Sequence, residues 1–269
     1  MENAVSARDD LAQEISVYWD ARAESYSNGV CGELADGRGD AWRSKLEDLI
    51  DAHLGMQRAD GRVLRALDLG CGPGFFEILL ARMDCTVDAV DGSEEMLARA
   101  RKNTQDAGVV DAVTFHQSDV CTLPFEDSAF DLVVSRNLTW LMRDPEAAYA
   151  EWLRVLRPGG MLAVFDANWY LYRVNEEIDR KRIADQKGDS LDWWDPSARA
   201  TTAEEQECEL IADKLPLTPI VRPAWDVDVL TRMGVSSIET DENAWRQLWG
   251  DGEKAFYGSS PMFSVVAVK

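Results

Sequence analysis

The segment from Leu67 to Phe75 constrains the fold of this chain more than any other. It reads Leu67-Asp68-Leu69-Gly70-Cys71-Gly72-Pro73-Gly74-Phe75. The preceding apolar run predicts a buried parallel strand over 63–69, and the following residues predict a helix over 75–83. A strand, a glycine turn and a helix in this order form a ligand-binding crevice at the carboxyl end of the strand. The segment therefore predicts an α/β fold with a site at this turn.

The glycine spacing and the acid before it indicate which ligand binds there. Glycines let the backbone approach a bound molecule closely, because they have no Cβ. The third glycine is Gly74, which gives G-x-G-x-G, whereas the dinucleotide fingerprint G-x-G-x-x-G needs a glycine at position 75. Asp68 would repel an anionic pyrophosphate but would attract a cofactor that carries an ammonium and a sulfonium. The motif therefore favours S-adenosylmethionine over NAD.

Strands and helices alternate after the glycine turn, and this alternation predicts a parallel sheet. Helices are predicted from Ser93, from the N-cap Asp144 to Pro158-Gly159-Gly160, and over 225–233. The last two strands are expected to pair antiparallel at the edge of the sheet. The predicted strands after the first are 86–90, 112–116, 130–135, 161–165, 235–240 and 262–268.

Two segments lie outside this alternation. Residues 7–27 predict a helix, 28–40 a loop, and a second amphipathic helix follows with Asp40 as its N-cap. Residues 168–222 are polar and aromatic, and a structureless loop of that length is rare, so we predict a mainly helical insertion. The chain is expected to form one domain that comprises an N-terminal helical cap (1–60), a cofactor-binding core (61–167), a lid insertion (168–222) and a C-terminal part of the sheet (223–269).

Composition excludes several classes of partner. The net charge is −21 and the sequence pI is about 4.4. Binding to nucleic acid or to an anionic membrane relies on lysine and arginine, so neither partner is expected. No apolar run reaches the roughly 18 residues of a membrane span, and the N-terminus does not resemble a signal peptide. Five cysteines without a C-x-x-C pair indicate neither a disulfide framework nor a metal site, and a cytoplasmic location is expected.

Four landmarks occur in the same order as in a known family. The glycine motif begins at Asp68, Asp91 ends the second strand, Ser118-Asp119 ends the third, and Leu156-Arg157-Pro158-Gly159-Gly160 precedes the fifth. The N-terminal run 18–26 also matches this family. The chain resembles class I, seven-β-strand S-adenosylmethionine-dependent methyltransferases of the small-molecule type, and the resemblance extends over about 11–269. The resemblance implies a Rossmann-like, mostly parallel sheet in the order 3-2-1-4-5-7-6, with the seventh strand antiparallel and with the N-terminal helices and the insertion as a lid.

The resemblance also implies a cofactor site. The backbone of 70–74 would cradle the methionine part of the cofactor, and Asp68 would support its ammonium. Asp91, twenty-one positions after Gly70, would accept hydrogen bonds from the ribose hydroxyls. Asp119 and the Val120 amide would recognise adenine. The implied cofactor-binding residues are Tyr18, Asp68, Gly70, Cys71, Gly72, Gly74, Phe75, Asp91, Gly92, Met96, Ser118, Asp119, Val120 and Arg136.

The expected function is methyl transfer from S-adenosylmethionine to a small molecule by in-line displacement, which yields S-adenosylhomocysteine. Such a reaction needs alignment, exclusion of water and, for a hydroxyl or ammonium, a proton acceptor, for which Asp166 and Tyr26 are candidates. Two alternatives stay open: a cofactor-binding regulatory protein without transfer activity, and a protein or RNA methyltransferase. The acidity argues against RNA, and an enclosing lid argues against a protein substrate. The chain is expected to be a monomer or a homodimer.

Overall fold

A seven-stranded sheet organises the protein. The computed structural model describes residues 2–187 and 191–269. The strand order is β3-β2-β1-β4-β5-β7-β6; β7 runs antiparallel to both neighbours, and the other pairs are parallel. This confirms the predicted topology. The strands are β1 Arg65–Leu69, β2 Thr86–Asp91, β3 Val113–Gln117, β4 Phe130–Arg136, β5 Leu156–Asp166, β6 Ser237–Asp241 and β7 Phe263–Val268.

Helices flank the sheet, and local capping chemistry explains where several of them begin. Ser93 Oγ accepts from the Met96 amide at 3.1 Å, and Asp144 accepts from the Ala147 amide at 3.2 Å ahead of Pro145, so both predicted starts are confirmed. The α-helices are α1 Glu2–Ala35, α2 Arg38–Ala59, α3 Phe75–Ala81, α4 Glu94–Asp106, α5 Pro145–Val155, α6 Glu176–Gln186, α7 Thr202–Ala212, α8 Ala224–Arg232, α9 Trp245–Leu248 and α10 Asp251–Phe256. No described helix is both long enough and apolar enough to cross a bilayer.

The predicted loop over 28–40 is wrong. Helix α1 continues to Ala35, and α2 begins at Arg38 after Gly37, whose φ is 89°, and not after an Asp40 cap. The reason is tertiary, because Glu33 lies inward and its carboxylate accepts a hydrogen bond from Trp42 Nε1 at 2.9 Å. That contact packs the last turns of α1 against α2, although the local sequence is rich in glycine and aspartate.

The predicted helix end at Pro158 is also displaced. Helix α5 ends at Val155, and β5 begins directly at Leu156, so the Pro-Gly-Gly run lies in the irregular first part of that strand. The register of β5 against β4 shifts there, between Phe130 and Leu132. A Cβ on Gly160 would approach the Asp131 carbonyl oxygen to 2.9 Å, so only glycine fits this contact between strands.

Two apolar layers enclose the sheet and fix the carboxyl ends of its strands. On one face Trp42 is fully buried and packs edge-on against Phe76 and Phe165, with ring centroids 5.5 and 5.0 Å apart. On the other face Tyr149 and Trp152 of α5 are also fully buried. Helices that cover both faces leave the strand ends as the place where a ligand can enter. The insertion contains α6 and α7, in agreement with its predicted helical character.

Candidate active site

A cavity of about 380 Å³ opens at the carboxyl ends of β1 to β4, and α1 covers it. This volume is within the usual range for small-molecule sites. Its walls are mainly apolar, with acidic groups at two strand ends. Ten residues named from the sequence line it: Tyr26, Gly70, Gly72, Asp91, Gly92, Met96, Ser118, Asp119, Val120 and Arg136. We call it the cofactor cavity.

The glycine turn forms the floor of this cavity. Gly70 and Gly72 have φ values of 61° and 54°, in the left-handed region that glycine adopts without strain. A Cβ on Gly70 would come within 2.6 Å of Leu138 Cδ1. A Cβ on Gly72 would point towards Tyr26 Cε1 at 3.7 Å, into the space between the turn and α1. The turn therefore keeps open a cradle that any larger residue would fill.

Asp91 stands at the end of β2 and joins the turn to α4. Its carboxylate accepts from the Gly72 amide at 2.8 Å and from the Ser93 amide at 2.9 Å. An ionised carboxylate has about four acceptor positions, so these two bonds leave capacity for the two hydroxyls of a ribose. Burial raises the pKa of Asp91, and the backbone amides of Ser93 and Gly72 oppose that rise.

The far end of the cavity lies beyond β3. Asp119 lines it, accepts from the Cys121 amide at 2.8 Å and pairs with Arg143 at 2.6 Å. Val120 is buried beside it, and its carbonyl accepts from Trp152 Nε1 at 2.9 Å. Arg143 was missed in the sequence, because it precedes the N-cap of α5 and nothing in its neighbours indicates a site.

Five of the sequence-predicted cofactor residues do not line the cofactor cavity. Asp68, Cys71, Gly74 and Phe75 belong to the motif but lie outside the lining of the cavity, and all four residues are buried. Tyr18 lines a second cavity instead. Burial and, next, the neighbouring Glu77 carboxyl raise the pKa of Asp68 well above its usual range. A cationic group bound over the turn would favour the ionised form of Asp68.

Helix α1 closes the cofactor cavity through polar contacts. Asp20 accepts from Ser93 Oγ at 2.5 Å, so the hydroxyl that caps α4 also anchors α1. Asn103 of α4 bridges Ser27 Oγ at 2.9 Å and the Pro73 carbonyl at 2.8 Å. The sequence marks Ser93 as a helix start, but it does not indicate these contacts, since the partners lie on distant elements.

A second cavity of about 490 Å³ adjoins the first, and Trp19, Tyr26, Arg136 and Asn137 line both. We call it the acceptor cavity. Helix α1 and the insertion contribute much of its wall. Twelve aromatic residues line it: Tyr18, Trp19, Tyr26, Trp140, Trp169, Tyr170, Tyr172, Trp193, Trp194, Trp249, Phe256 and Tyr257.

Asp166 ends β5 but lines neither cavity. Its side chain is fully buried, and one oxygen accepts from Arg222 at 2.7 Å and from the Trp140 amide at 2.9 Å. The other oxygen accepts from the Ala167 amide at 2.8 Å and from Trp169 Nε1 at 3.0 Å. A carboxylate with both oxygens engaged and no access to a ligand holds the structure together, so we do not retain Asp166 as a candidate base.

Comparison with known proteins supports this description. Residues 67–164, which include the glycine turn and the ends of β2 to β4, match a family described as a methyltransferase domain. Residues 67–164 therefore carry a methyltransferase domain, and the sheet has the class I methyltransferase fold. The cofactor of this methyltransferase domain is S-adenosylmethionine, and the cradle, the strand-end acids and the cavity volume fit that molecule.

Individual relatives agree with the family. A 27-O-demethylrifamycin SV methyltransferase of Amycolatopsis mediterranei is 30% identical over 68% of this chain and 65% of its own length. A solved structure from Methanococcus maripaludis, named as an S-adenosyl-L-methionine-dependent methyltransferase, shares the fold with a TM-score of 0.54 at 22% identity, over 91% of this chain and 94% of that one. A phosphoethanolamine N-methyltransferase of Haemonchus contortus in complex with S-adenosyl-L-methionine has a TM-score of 0.53 at 18% identity. The match covers 81% of this chain and 52% of that one. The chain spans 35%, 22% and 65% of the lengths of three curated relatives.

Proposed function

We propose that this protein transfers the methyl group of S-adenosylmethionine to a small molecule bound in the acceptor cavity. The observation that carries the proposal is the contact between the two cavities, which share Tyr26, Arg136 and Asn137. A methyl donor on one side and an acceptor on the other would meet at these residues. The acceptor cavity, at about 490 Å³, suits a small molecule better than a protein chain, and the net charge of −21 disfavours a nucleic acid.

The proposed mechanism requires little covalent chemistry from the protein. The cofactor, when bound, supplies an electrophilic methyl group on a sulfonium. The glycine turn and Asp91 hold that group in one place, and the aromatic walls exclude water and align the acceptor. Tyr26 lines both cavities and is our candidate for a polar contact with the nucleophile or for relay of its proton.

We further propose that α1 and the 168–222 insertion act as a lid within a single domain over 1–269, with 1–60 as the helical cap and 61–167 as the cofactor core. Helix α1 contributes to both cavities, and the insertion contributes Trp193 and Cys208 to the acceptor cavity. The five cysteines are free thiols, which is consistent with a reducing compartment and supports the proposed cytoplasmic location.

Calorimetric titration with S-adenosylhomocysteine tests the cofactor assignment. Wild type is expected to bind, and Asp91→Ala is expected to bind at least about tenfold more weakly, because charge-assisted hydrogen bonds contribute about 1.5–3 kcal/mol. Asp88→Ala is a poor control, since Asp88 pairs with Arg65 and His116. Asp111→Ala, in the short 3₁₀ turn before β3, is the better one and should bind normally.

Transfer is tested separately from binding. Protein that binds the cofactor should move a labelled methyl group from S-adenosylmethionine to a compound in a small-molecule extract. Binding without any transfer would instead indicate a cofactor-binding regulatory protein. Absence of binding in the wild type would contradict the cofactor site itself.

A further inference from the structure

Asn137 lies where the cofactor cavity and the acceptor cavity meet, immediately after β4. Its φ is 54°, in the left-handed region that asparagine visits more readily than most residues but still at a conformational cost. Its backbone is fixed there, because the amide donates to the Phe165 carbonyl at 2.8 Å and its carbonyl accepts from Trp140 Nε1 at 2.9 Å. The fold therefore holds the backbone of this residue in one position between the two cavities.

The Asn137 side chain also has an unpartnered polar atom. Its Oδ1 is buried and accepts no hydrogen bond from any described residue. A buried carboxamide oxygen without a donor is uncommon, because it has lost its hydration without replacement. The left-handed backbone and the unpartnered oxygen each raise the free energy of the folded state. Such unfavourable features concentrate at sites that bind a ligand. A ligand that donates a hydrogen bond would satisfy this oxygen.

The charges around the acceptor cavity do not favour an anionic ligand. Four arginines line the cavity, and each has a carboxylate within 4 Å among the described residues, so none supplies a free positive charge. The pairs are Arg22–Glu204 at 3.8 Å, Arg38–Asp36 at 2.7 Å, Arg136–Glu33 at 2.8 Å and Arg182–Asp179 at 2.8 Å. A phosphate or carboxylate would therefore meet guanidinium groups whose charge is already neutralised, although Arg22 Nε and Arg136 Nε are buried and donate to no described residue.

The walls instead suit a flat apolar ring. Trp193 and Trp194 stack with centroids 5.5 Å apart, and Trp169 meets Tyr257 edge-on at 5.5 Å. Aromatic side chains bind other rings through the same stacked and edge-on contacts. A cavity of about 490 Å³ has room for fused rings.

We infer that the acceptor is a fused-ring aromatic compound with a hydroxyl or amino group, and that the O–H or N–H of this group donates to Asn137 Oδ1. This inference rests on the proposed methyl transfer. The hydrogen bond turns a lone pair of the nucleophile towards the methyl carbon. The new O–C or N–C bond then forms as the C–S bond breaks, its electron pair stays on sulfur, and the nucleophile's proton passes by way of Tyr26 to water outside the cavities. Asn137 orients the group but does not take the proton, because a carboxamide is not a base at neutral pH.

Three naphthalene probes test the inference on protein saturated with S-adenosylhomocysteine. 1-Naphthol and 1-naphthylamine can donate a hydrogen bond, whereas 1-methoxynaphthalene cannot. We expect the two donors to bind wild type about tenfold more tightly than the methoxy compound, as one hydrogen bond in a desolvated site allows. Binding is read from tryptophan fluorescence. Transfer is measured separately, with labelled S-adenosylmethionine in place of S-adenosylhomocysteine, from labelled methyl groups on 1-naphthol.

Asn137→Gly is the key variant, because glycine keeps the left-handed backbone and removes only the carboxamide. It should bind the three probes equally and transfer at least about tenfold more slowly. Asn137→Asp should keep the preference for the donors, since a carboxylate still accepts. Ser128→Gly is the matched control: Ser128 has a φ of 57° and its amide donates to the Arg154 carbonyl, away from both cavities. It should behave as wild type.

Several outcomes would overturn the inference. Equal binding of the three probes to wild type, or a preserved preference in Asn137→Gly, would remove Asn137 from this role. If none of the probes binds, the aromatic class of acceptor is wrong. The unfolding midpoint of each variant is measured first, and Asn137→Ala replaces the glycine variant if the latter does not fold. Binding of S-adenosylhomocysteine distinguishes a failure of the proposed function from a failure of this inference. If wild type does not bind it, the proposed function is contradicted. If wild type binds it, only the inference about the acceptor is wrong.

Discussion

At the scale of single residues, two buried carboxyl groups lie beneath the glycine turn. Glu77 is fully buried on α3, and neither of its oxygens accepts a hydrogen bond from a described residue. Burial raises its pKa from 4.5 to about 7, and the neighbouring Asp68 carboxyl also has a raised pKa. The native protein without cofactor therefore holds protons here that the unfolded chain has already lost at neutral pH.

This difference predicts how stability depends on pH. A raised pKa in the folded state stabilises the fold at low pH, and that contribution is lost as pH rises from about 4.5 through about 7. The free energy of unfolding should fall by up to about 1.4 kcal/mol per pH unit for one such group. Glu77→Gln should flatten the dependence and should be more stable than wild type at pH 8, when both are measured by urea unfolding without cofactor.

The exposed Glu95 in the first turn of α4 provides the control. Glu95→Gln should leave the slope of wild type unchanged. An equal slope in wild type and Glu77→Gln would show that Glu77 is not protonated in the folded protein, and that an unseen donor compensates its charge.

At the scale of elements, one hydroxyl links α1 to the cofactor cavity. Ser93 Oγ caps α4 and donates to Asp20 of α1, and the Ser93 amide donates to Asp91. A change in α1 is therefore transmitted directly to the acid that we assign to the ribose. Helix α1 also contributes Trp19 and Tyr26 to the junction of the cavities.

Asp20→Ala is expected to weaken S-adenosylhomocysteine binding by about three- to tenfold, because this is the usual contribution of one hydrogen bond to binding. Bound S-adenosylhomocysteine should protect α1 and the insertion of the wild type from protease, and it should protect the variant less. Glu24→Ala on the same helix is the control, because its ion pair with Arg99 is at the surface with a separation of 3.5 Å. Equal protection in both variants would show that α1 closes without this contact.

The elements also show what the sequence could and could not predict. The start of α4 at Ser93 and the start of α5 at Asp144 follow from local capping signals, whereas the strand order was implied by the family resemblance; the structure confirms all three. The continuation of α1 to Ala35 depends on Glu33 meeting Trp42, which is a tertiary contact that overrides local propensity. Arg143 is not marked by any spacing, because its surroundings come from elements far apart in the chain.

At the scale of the whole molecule, a buried ion network joins the C-terminal part of the sheet to the cofactor core. Arg222, which is 1% exposed, pairs with Asp166 of β5 at 2.7 Å and with Asp226 of α8 at 2.6 Å. Tyr149 of α5 donates to Asp226 at 2.5 Å. The network thus ties α5, β5 and α8 together behind the aromatic wall of the acceptor cavity.

Removal of the central cation should destabilise the entire fold. Arg222→Met leaves two buried carboxylates without their countercharge, so we expect a loss of about 3–5 kcal/mol in the free energy of unfolding. Arg232→Met, which removes exposed pairs with Glu146 and Asp228, should cost less than about 1 kcal/mol. Equal losses in the two variants would mean that hydrogen bonds from Thr139, Trp140 and Trp169 hold Asp166 without help from the arginine.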